Sequence, residues 1–335
     1  MTAYGSQGPS AAILRAFASR GRFVLTTHVN ADGDAIGSEV ALAAWLRARG
    51  KEAHVINVSP VPGFLTFLDP GRSIALYDGK RDDPAITSAE AIVVLDANHP
   101  GRLRAMKDAV MASPALRICI DHHADPEPFA AHALVDEEAT STGEVLFRLL
   151  YRSPRARIDP AIARALYCAI MTDTGSFRYP RTGPLTHRIV ARLIEAGADP
   201  VAIFSEVYER WSAARMRLMG EVLLSLETAY EGRLAHITVT RAMLERTGTS
   251  EEDTENFTTY PMSVGGVAIG MLFMETADGL KISFRSRGAI PVNALAAEFG
   301  GNGHLNAAGA RLPGALADVR ARVIRAAGKY LTPAL

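Results

Sequence analysis

Three short apolar runs, each followed at once by an acid or a histidine, constrain this chain more than any other feature. Phe23-Val24-Leu25-Thr26-Thr27 leads into His28-Val29-Asn30-Ala31-Asp32-Gly33-Asp34, Ala91-Ile92-Val93-Val94-Leu95 ends at Asp96, and Arg117-Ile118-Cys119-Ile120 leads into Asp121-His122-His123. Runs this short and β-prone, apolar at successive positions, belong to strands covered on both faces, as in a parallel sheet packed between helices. The pattern predicts strands at 23–28, 53–58, 91–96 and 117–121, and helices at 11–20, 35–49, 142–151, 160–171 and 185–196. Read this way, residues 1–196 form an α/β domain with a doubly wound, mainly parallel sheet. Ligands of such sheets bind at the carboxyl ends of the strands, which is where these strings fall. A further string, Thr172-Asp173-Thr174-Gly175-Ser176-Phe177-Arg178, places Asp173 on a loop after the apolar segment 166–171.

Gly197-Ala198-Asp199-Pro200 breaks this rhythm, and a helical connector is expected over 197–230. Residues 231–335 read as a smaller α+β domain, with strands at 234–240, 266–275 and 280–286 and helices at 292–299 and 315–330. Asp278-Gly279 marks a hairpin between two of those strands.

The 335 residues are 48% apolar, with 36 Lys+Arg against 36 Asp+Glu. Zero net charge argues against binding long duplex nucleic acid, which needs a broad basic face, but leaves room for a small phosphorylated ligand. The two cysteines, Cys119 and Cys168, lie in apolar segments without CxxC spacing, so neither a disulfide framework nor a thiolate zinc site is expected. Residues 1–10 lack a basic leader, Arg15 breaks the next apolar stretch, and no apolar run approaches the ~20 residues of a membrane span. A soluble, cytoplasmic protein is expected, with no membrane partner. No GxGxxG opens a helix after an early strand, which argues against a nicotinamide-dependent oxidoreductase.

Each acidic string has a plain reading beside a chemical one. Asp32 or Asp34 can cap the helix that follows Gly33, Asp96 and Asp173 can serve turns, and His122-His123 can sit on a surface loop. Together, acids and imidazoles at repeated element ends favour a convergent metal site. Oxygen and imidazole ligands without thiolate suit Mn²⁺, then Mg²⁺ or Co²⁺, better than a structural zinc. Two ions ~3.5–4 Å apart fit a phosphoryl-transfer site.

The strings His28-x-Asn30-x-Asp32-Gly33-Asp34, Asp96, Asp121-His122-His123 and Asp173 resemble the four motifs of the DHH phosphoesterase superfamily. Phe299-Gly300-Gly301-Asn302-Gly303-His304-Leu305-Asn306-Ala307-Ala308-Gly309 resembles the glycine-rich motif of the DHH-associated domain. The resemblance covers residues 28 to 309 in the expected order. It implies two Mn²⁺ (alternatively Mg²⁺ or Co²⁺), one held by His28, Asp32 and Asp96 and the other by Asp34, Asp96, His122 and Asp173, with Asp96 bridging. It further implies that His123 contacts the scissile phosphate and that Asp121 orients a ligand histidine.

In the second domain, Gly300, Gly301 and Gly303 are expected to open backbone amides to phosphate, with His304 adding a side chain. Arg285 and Arg287, two apart on one strand, share a face that can reach a terminal phosphate, although a solvated face remains open for Arg287. The active site is expected in the cleft between the domains. The chain is most similar to the nano-RNase type, which implies hydrolysis of short oligoribonucleotides to 5′-mononucleotides together with 3′-phosphoadenosine 5′-phosphate phosphatase activity. The resemblance leaves a homodimer open. Cyclic di-AMP or its linear product is the alternative substrate, and a non-catalytic nucleotide-binding regulator is the alternative of another class. Two positions depart from the family pattern: Asn302 replaces a glycine, and Ala31 stands where proline is common.

Overall fold

The computed structural model describes residues 8–153 and 156–331, so most of the leader reading at 1–10 lies outside the described residues. The chain divides into two compact units, 1–210 and 211–335. The first holds six parallel strands, β1 (Arg22–Thr26), β2 (Glu52–Asn57), β3 (Ile74–Leu76), β4 (Ala91–Leu95), β5 (Leu116–Asp121) and β6 (His132–Val135). Their spatial order is β3-β2-β1-β4-β5-β6, so the winding reverses between β1 and β4. The helices are α1 (Pro9–Ser19), α2 (Gly33–Arg47), α3 (Gly79–Ser88), α4 (Lys107–Ala112), α5 (Thr142–Leu150), α6 (Pro160–Asp173), α7 (Pro184–Glu195) and α8 (Pro200–Phe204).

Side-chain alternation explains the unbroken apolar runs. Phe23 and Leu25 of β1 point into a core built with α1, α2, α5, α6 and α7, while Val24 points into a second core with Ile86 of α3 and Val110 of α4. Both faces are covered, as predicted. The short edge strands β3 and β6 escape the sequence pattern because each is only partly buried and neither has a long apolar run.

Two boundaries shift in ways that matter for the site. Helix α2 starts at Gly33 because the Asp32 carboxylate accepts from the backbone N–H groups of Asp34 and Ala35, both at 3.1 Å. Asp34 therefore lies in the first helical turn. Helix α6 runs through Asp173, which ends the helix instead of sitting on a loop; Thr174 follows as the cap, its hydroxyl donating to the Ile170 carbonyl at 2.6 Å. The two helices touch nearly backbone to backbone: a Cβ on Gly37 would lie 2.5 Å from the Ala165 carbonyl oxygen. That approach fixes Asp34 and Asp173 relative to one another.

The second unit has α9 (Ala213–Leu224), β7 (Glu227–Ala229), β8 (Leu234–Val239), α10 (Arg241–Thr247), β9 (Ile269–Thr276), β10 (Gly279–Ser286), α11 (Val292–Ala297), β11 (Asn302–His304), β12 (Ala307–Leu312) and α12 (Leu316–Leu331). Its sheet order is β11-β12-β10-β9-β8-β7, antiparallel except for β8 with β9. Helices α11 and α12 cover one face, packing Val292, Leu295 and Val323 on Phe273, Ile282 and Phe284. Helix α9 covers the other with Leu218 and Val222 against Ile237, Leu272 and Met274. The β9–β10 hairpin forms as predicted, with Gly279 already inside β10 opposite Thr276. Among the described residues, no helix is long and apolar enough to cross a membrane.

Candidate metal centre

The loops after β1 and β4 leave the sheet where its winding reverses, the loop after β5 leaves one strand further on, and each delivers its polar string to this region. Asp34 is 1% exposed and is held by the N-terminus of α5, accepting from Thr142 N at 2.6 Å and Gly143 N at 2.8 Å. Those N–H groups are unpaired within a first helical turn and favour an anion. Asp96 directly follows β4 with a left-handed backbone (φ 57°), and its Oδ1 accepts the Thr142 hydroxyl at 2.9 Å. Thr142 thus serves both carboxylates.

The structure brings together all six residues read as metal ligands. His28 Nε2 lies 3.3 Å from Asp96 Oδ2. His122 Nε2 lies 3.3 Å from Asp173 Oδ2, 3.6 Å from Asp96 Oδ1 and 3.8 Å from Asp34 Oδ2. Ligand atoms of His28, Asp32 and Asp96 lie within 4.8 Å of one another, and so do those of Asp34, His122 and Asp173. A third group joins Asp96 to Asp121, His122 and His123. Asp32, the exposed member, caps α2 as well, so the plain and the chemical readings of that residue coexist.

Asp121 does more for His123 than for a ligand ring. Its Oδ1 accepts from His123 Nδ1 at 2.8 Å and from the backbone N–H of His122 at 2.7 Å, so it holds His122 only through the main chain. Burial alone would lower the His123 pKa, but the hydrogen bond to Asp121 and the charges of Asp96 and Asp121 carry it up to about 9. These contacts favour the protonated ring of His123 in the metal-free protein. Burial lowers the pKa of His122, with Asp96 opposing, and leaves it the neutral imidazole that a metal requires.

The donor set fits a divalent cation. Burial, then the neighbouring Asp96 charge, pushes the carboxyls of both Asp34 and Asp173 well above their ordinary range. Burial opposes ionisation of Asp96 too, but His28, His123 and His122 pull it below the usual carboxylate range. His28 Nδ1 donates to the Val29 carbonyl at 2.9 Å, and against the effect of burial the bond and charge of Asp96 at Nε2 raise the ring's pKa. Nε2 and the Asp96 carboxylate need a proton or a cation between them. A cation would relieve this pair and the crowded carboxylates together.

Sequence reasoning missed the residues that brace these loops. Asn98, 2% exposed, donates its amide to the carbonyls of His123 at 2.8 Å and Ala124 at 3.1 Å. Arg102 donates to the Asp96 carbonyl at 3.4 Å, and its own carbonyl accepts from Val29 N at 3.0 Å. These bonds tie the three metal-bearing loops into one frame.

In the second unit, Arg285 lies near the end of β10, whereas Arg287 falls one residue beyond it, is exposed, and donates to the Met262 carbonyl. The glycine string forms the β11–β12 hairpin. A Cβ on Gly301 would lie 2.2 Å from the Gly309 carbonyl oxygen, and one on Gly303 would lie 2.4 Å from the Ala308 α-carbon. Close strand packing therefore requires both glycines. Gly300 has a left-handed backbone (φ 71°) and open space around it. His304, at the end of β11, is exposed. Asn302 pairs with Gly309 without a positive φ, so its replacement of glycine costs the hairpin nothing.

Groups of carboxylates and imidazoles that could hold metal ions thus gather at the carboxyl ends of the strands of a doubly wound sheet, with His122 within 3.6 Å of Asp96. Residues 22–170 match the family model described as DHH family, N-terminal domain, and residues 235–331 match the DHHA1 domain. A Thermus thermophilus protein named bifunctional oligoribonuclease and PAP phosphatase NrnA is 32% identical over 322 residues, 95% of this chain and 92% of the relative. A Bacillus subtilis protein of the same name is 25% identical, covering 90% of this chain and 92% of the relative. The solved structure of an exopolyphosphatase-related protein from Bacteroides fragilis superposes with a TM-score of 0.93 at 34% identity, over 96% of each chain. RecJ from Thermus thermophilus in complex with Mn²⁺ shares the fold alone, at TM-score 0.54 and 17% identity over 96% of this chain and 54% of RecJ. The chain belongs to the DHH family of phosphoesterases.

Proposed function

We propose that this protein is a Mn²⁺-dependent phosphodiesterase that hydrolyses short oligoribonucleotides to 5′-mononucleotides and also removes the 3′-phosphate of 3′-phosphoadenosine 5′-phosphate. The observation that carries the reading is the meeting of two ligand groups at Asp96, with His28 Nε2 at 3.3 Å on one side and His122 Nε2 at 3.6 Å on the other. The names of the Thermus and Bacillus relatives support the substrate class.

His28, Asp32 and Asp96 would hold one ion, and Asp34, Asp96, His122 and Asp173 the other. When bound, such a pair supplies Lewis-acid stabilisation of phosphoryl charge and a water activated at neutral pH. The protein supplies the rest. Asp121 fixes the His123 ring by accepting from Nδ1 at 2.8 Å, which leaves Nε2 to meet a phosphate oxygen beside the cluster. Buried Thr142 N–H and hydroxyl groups hold Asp34 and Asp96 in place. Within the second unit, we assign phosphate recognition to Arg285, His304 and the open backbone at Gly300.

A Mn²⁺ turnover panel tests the reading, using an RNA dinucleotide, a long single strand, phosphoadenosine phosphate, cyclic di-AMP and pyrophosphate. The dinucleotide and phosphoadenosine phosphate should turn over fastest. Asp96→Ala should lose at least about 10²-fold. Near-normal activity in that variant, or preference for pyrophosphate, contradicts the assignment.

A further inference from the structure

The segment after Asp173 has a conformation that its catalytic neighbour alone does not explain. Gly175, Ser176 and Phe177 are all left-handed, with φ of 56°, 58° and 66°. Two of the three carry side chains for which that region is unfavourable. The Thr174 hydroxyl accepts from Phe177 N at 3.0 Å, and the Thr174 carbonyl accepts from Arg178 N at 2.9 Å and Tyr179 N at 3.0 Å. Phe177 anchors the turn inward, its ring 5.9 Å from both Tyr167 and His187. Thr182 N closes the arm on the Tyr179 carbonyl at 2.9 Å.

This turn presents Tyr179. One side of its ring lies so close to Gly175 that an added Cβ would sit 2.5 Å from Cε1 and Cζ. The residue is nonetheless 52% exposed. A half-exposed aromatic ring held against Gly175 and bonded through its backbone to Thr174, next to Asp173, is a preordered stacking surface. Arg181 follows two residues later on the same arm.

We propose that Tyr179 is a nucleobase platform, stacking the base of the nucleotide whose phosphate lies at the metal cluster. Arg181 adds positive charge beside it. The proposal rests on the phosphodiesterase reading and supplies what that reading lacks, a reason for the centre to prefer a nucleotide over any other phosphate ester.

The test separates the two claims. Affinities of AMP and ribose 5-phosphate are measured for the Mn²⁺-loaded wild type, Tyr179→Phe and Tyr179→Ala, alongside dinucleotide turnover. Stacking predicts that AMP binds the wild type about 10-fold more tightly than ribose 5-phosphate. Tyr179→Phe should keep that advantage and Tyr179→Ala should erase it, with ribose 5-phosphate affinity unmoved in all three. An AMP advantage absent from the wild type, or retained in Tyr179→Ala, overturns the platform. A parallel loss of ribose 5-phosphate binding in Tyr179→Ala also overturns it, because that is what a merely structural tyrosine would do. Absence of dinucleotide turnover in the wild type contradicts the functional reading instead, and leaves the AMP comparison to decide the platform.

Discussion

The two units treat charge in opposite ways. The first buries Asp34, Glu39, Asp96, Asp121 and Glu144 together with His28 and His122, whereas in the second, among the described residues, His236 is the one buried group that titrates. A buried carboxylate costs several kcal/mol unless it is paired; Glu144 has Arg148, Thr140 and Thr186, whereas Asp34 and Asp96 are crowded together at a cost to stability that a cation would relieve. The second unit keeps an apolar core and presents Arg287 and His304 to solvent. Its glycine motif is explained in large part by strand packing. Polar residues in the first unit should therefore report on activity, and glycines in the second on folding.

Asp34→Asn tests that contrast most severely. Turnover should fall at least about 10²-fold. Thermal unfolding of the metal-free protein should change little: Thr142 N bonds Oδ2 and Gly143 N bonds Oδ1, so the single amide oxygen keeps one of the two bonds, and relief of a crowded charge offsets the loss of the other. A parallel collapse in stability breaks the contrast.

The next largest effect is on pH dependence. Burial pushes the Glu39 carboxyl up from 4.5 to about 8, against the hydrogen bond from Asn57 at 2.7 Å and with help from the Asp96 charge. The folded state thus holds this proton more tightly than the unfolded chain does. Its contribution to stability is complete below 4.5 and is lost as pH rises through about 8. In that window the slope is on the order of 1.4 kcal/mol per pH unit. Glu39→Gln should flatten denaturant midpoints across the window, and an unchanged slope rules out a buried, protonated Glu39.

In the second unit, Gly301→Ala should cost ~1–3 kcal/mol by forcing the β11–β12 hairpin apart. Mn²⁺ affinity should stay as it was, and calorimetry on the same sample reads both quantities. The smallest effect is expected at Asn98→Ala, which removes two hydrogen bonds to main-chain carbonyls, costs ~1–2 kcal/mol, and lowers turnover about tenfold by loosening the His123 loop. Full activity in Asn98→Ala would mean that the loop needs no brace.

These residues also mark what the sequence made legible. His28, Asp96 and Asp121 could be read because each ends or closely follows a strand buried on both faces, so the polar residue stands out from its run. Thr142 and Gly143 could not, because they act largely through backbone N–H groups, which every residue but proline carries. Asn98 and Arg102 were hidden for a related reason: their side chains meet carbonyls, which leave no trace in residue type. The glycine string was visible but ambiguous. Only the distances from Gly301 and Gly303 to β12 show that packing requires them, and only the backbone of Asn302 shows that no left-handed residue is needed there. Strands β3, β6 and β11 are three or four residues long and partly exposed, too short for an apolar pattern to form.

The central claim is that Asp96 is shared between two ligand groups, and the most direct test is Mn²⁺ stoichiometry. Titration calorimetry with elemental analysis should find two ions per chain in the wild type and at most one in Asp96→Asn. One ion in the wild type, or two retained in Asp96→Asn, contradicts it.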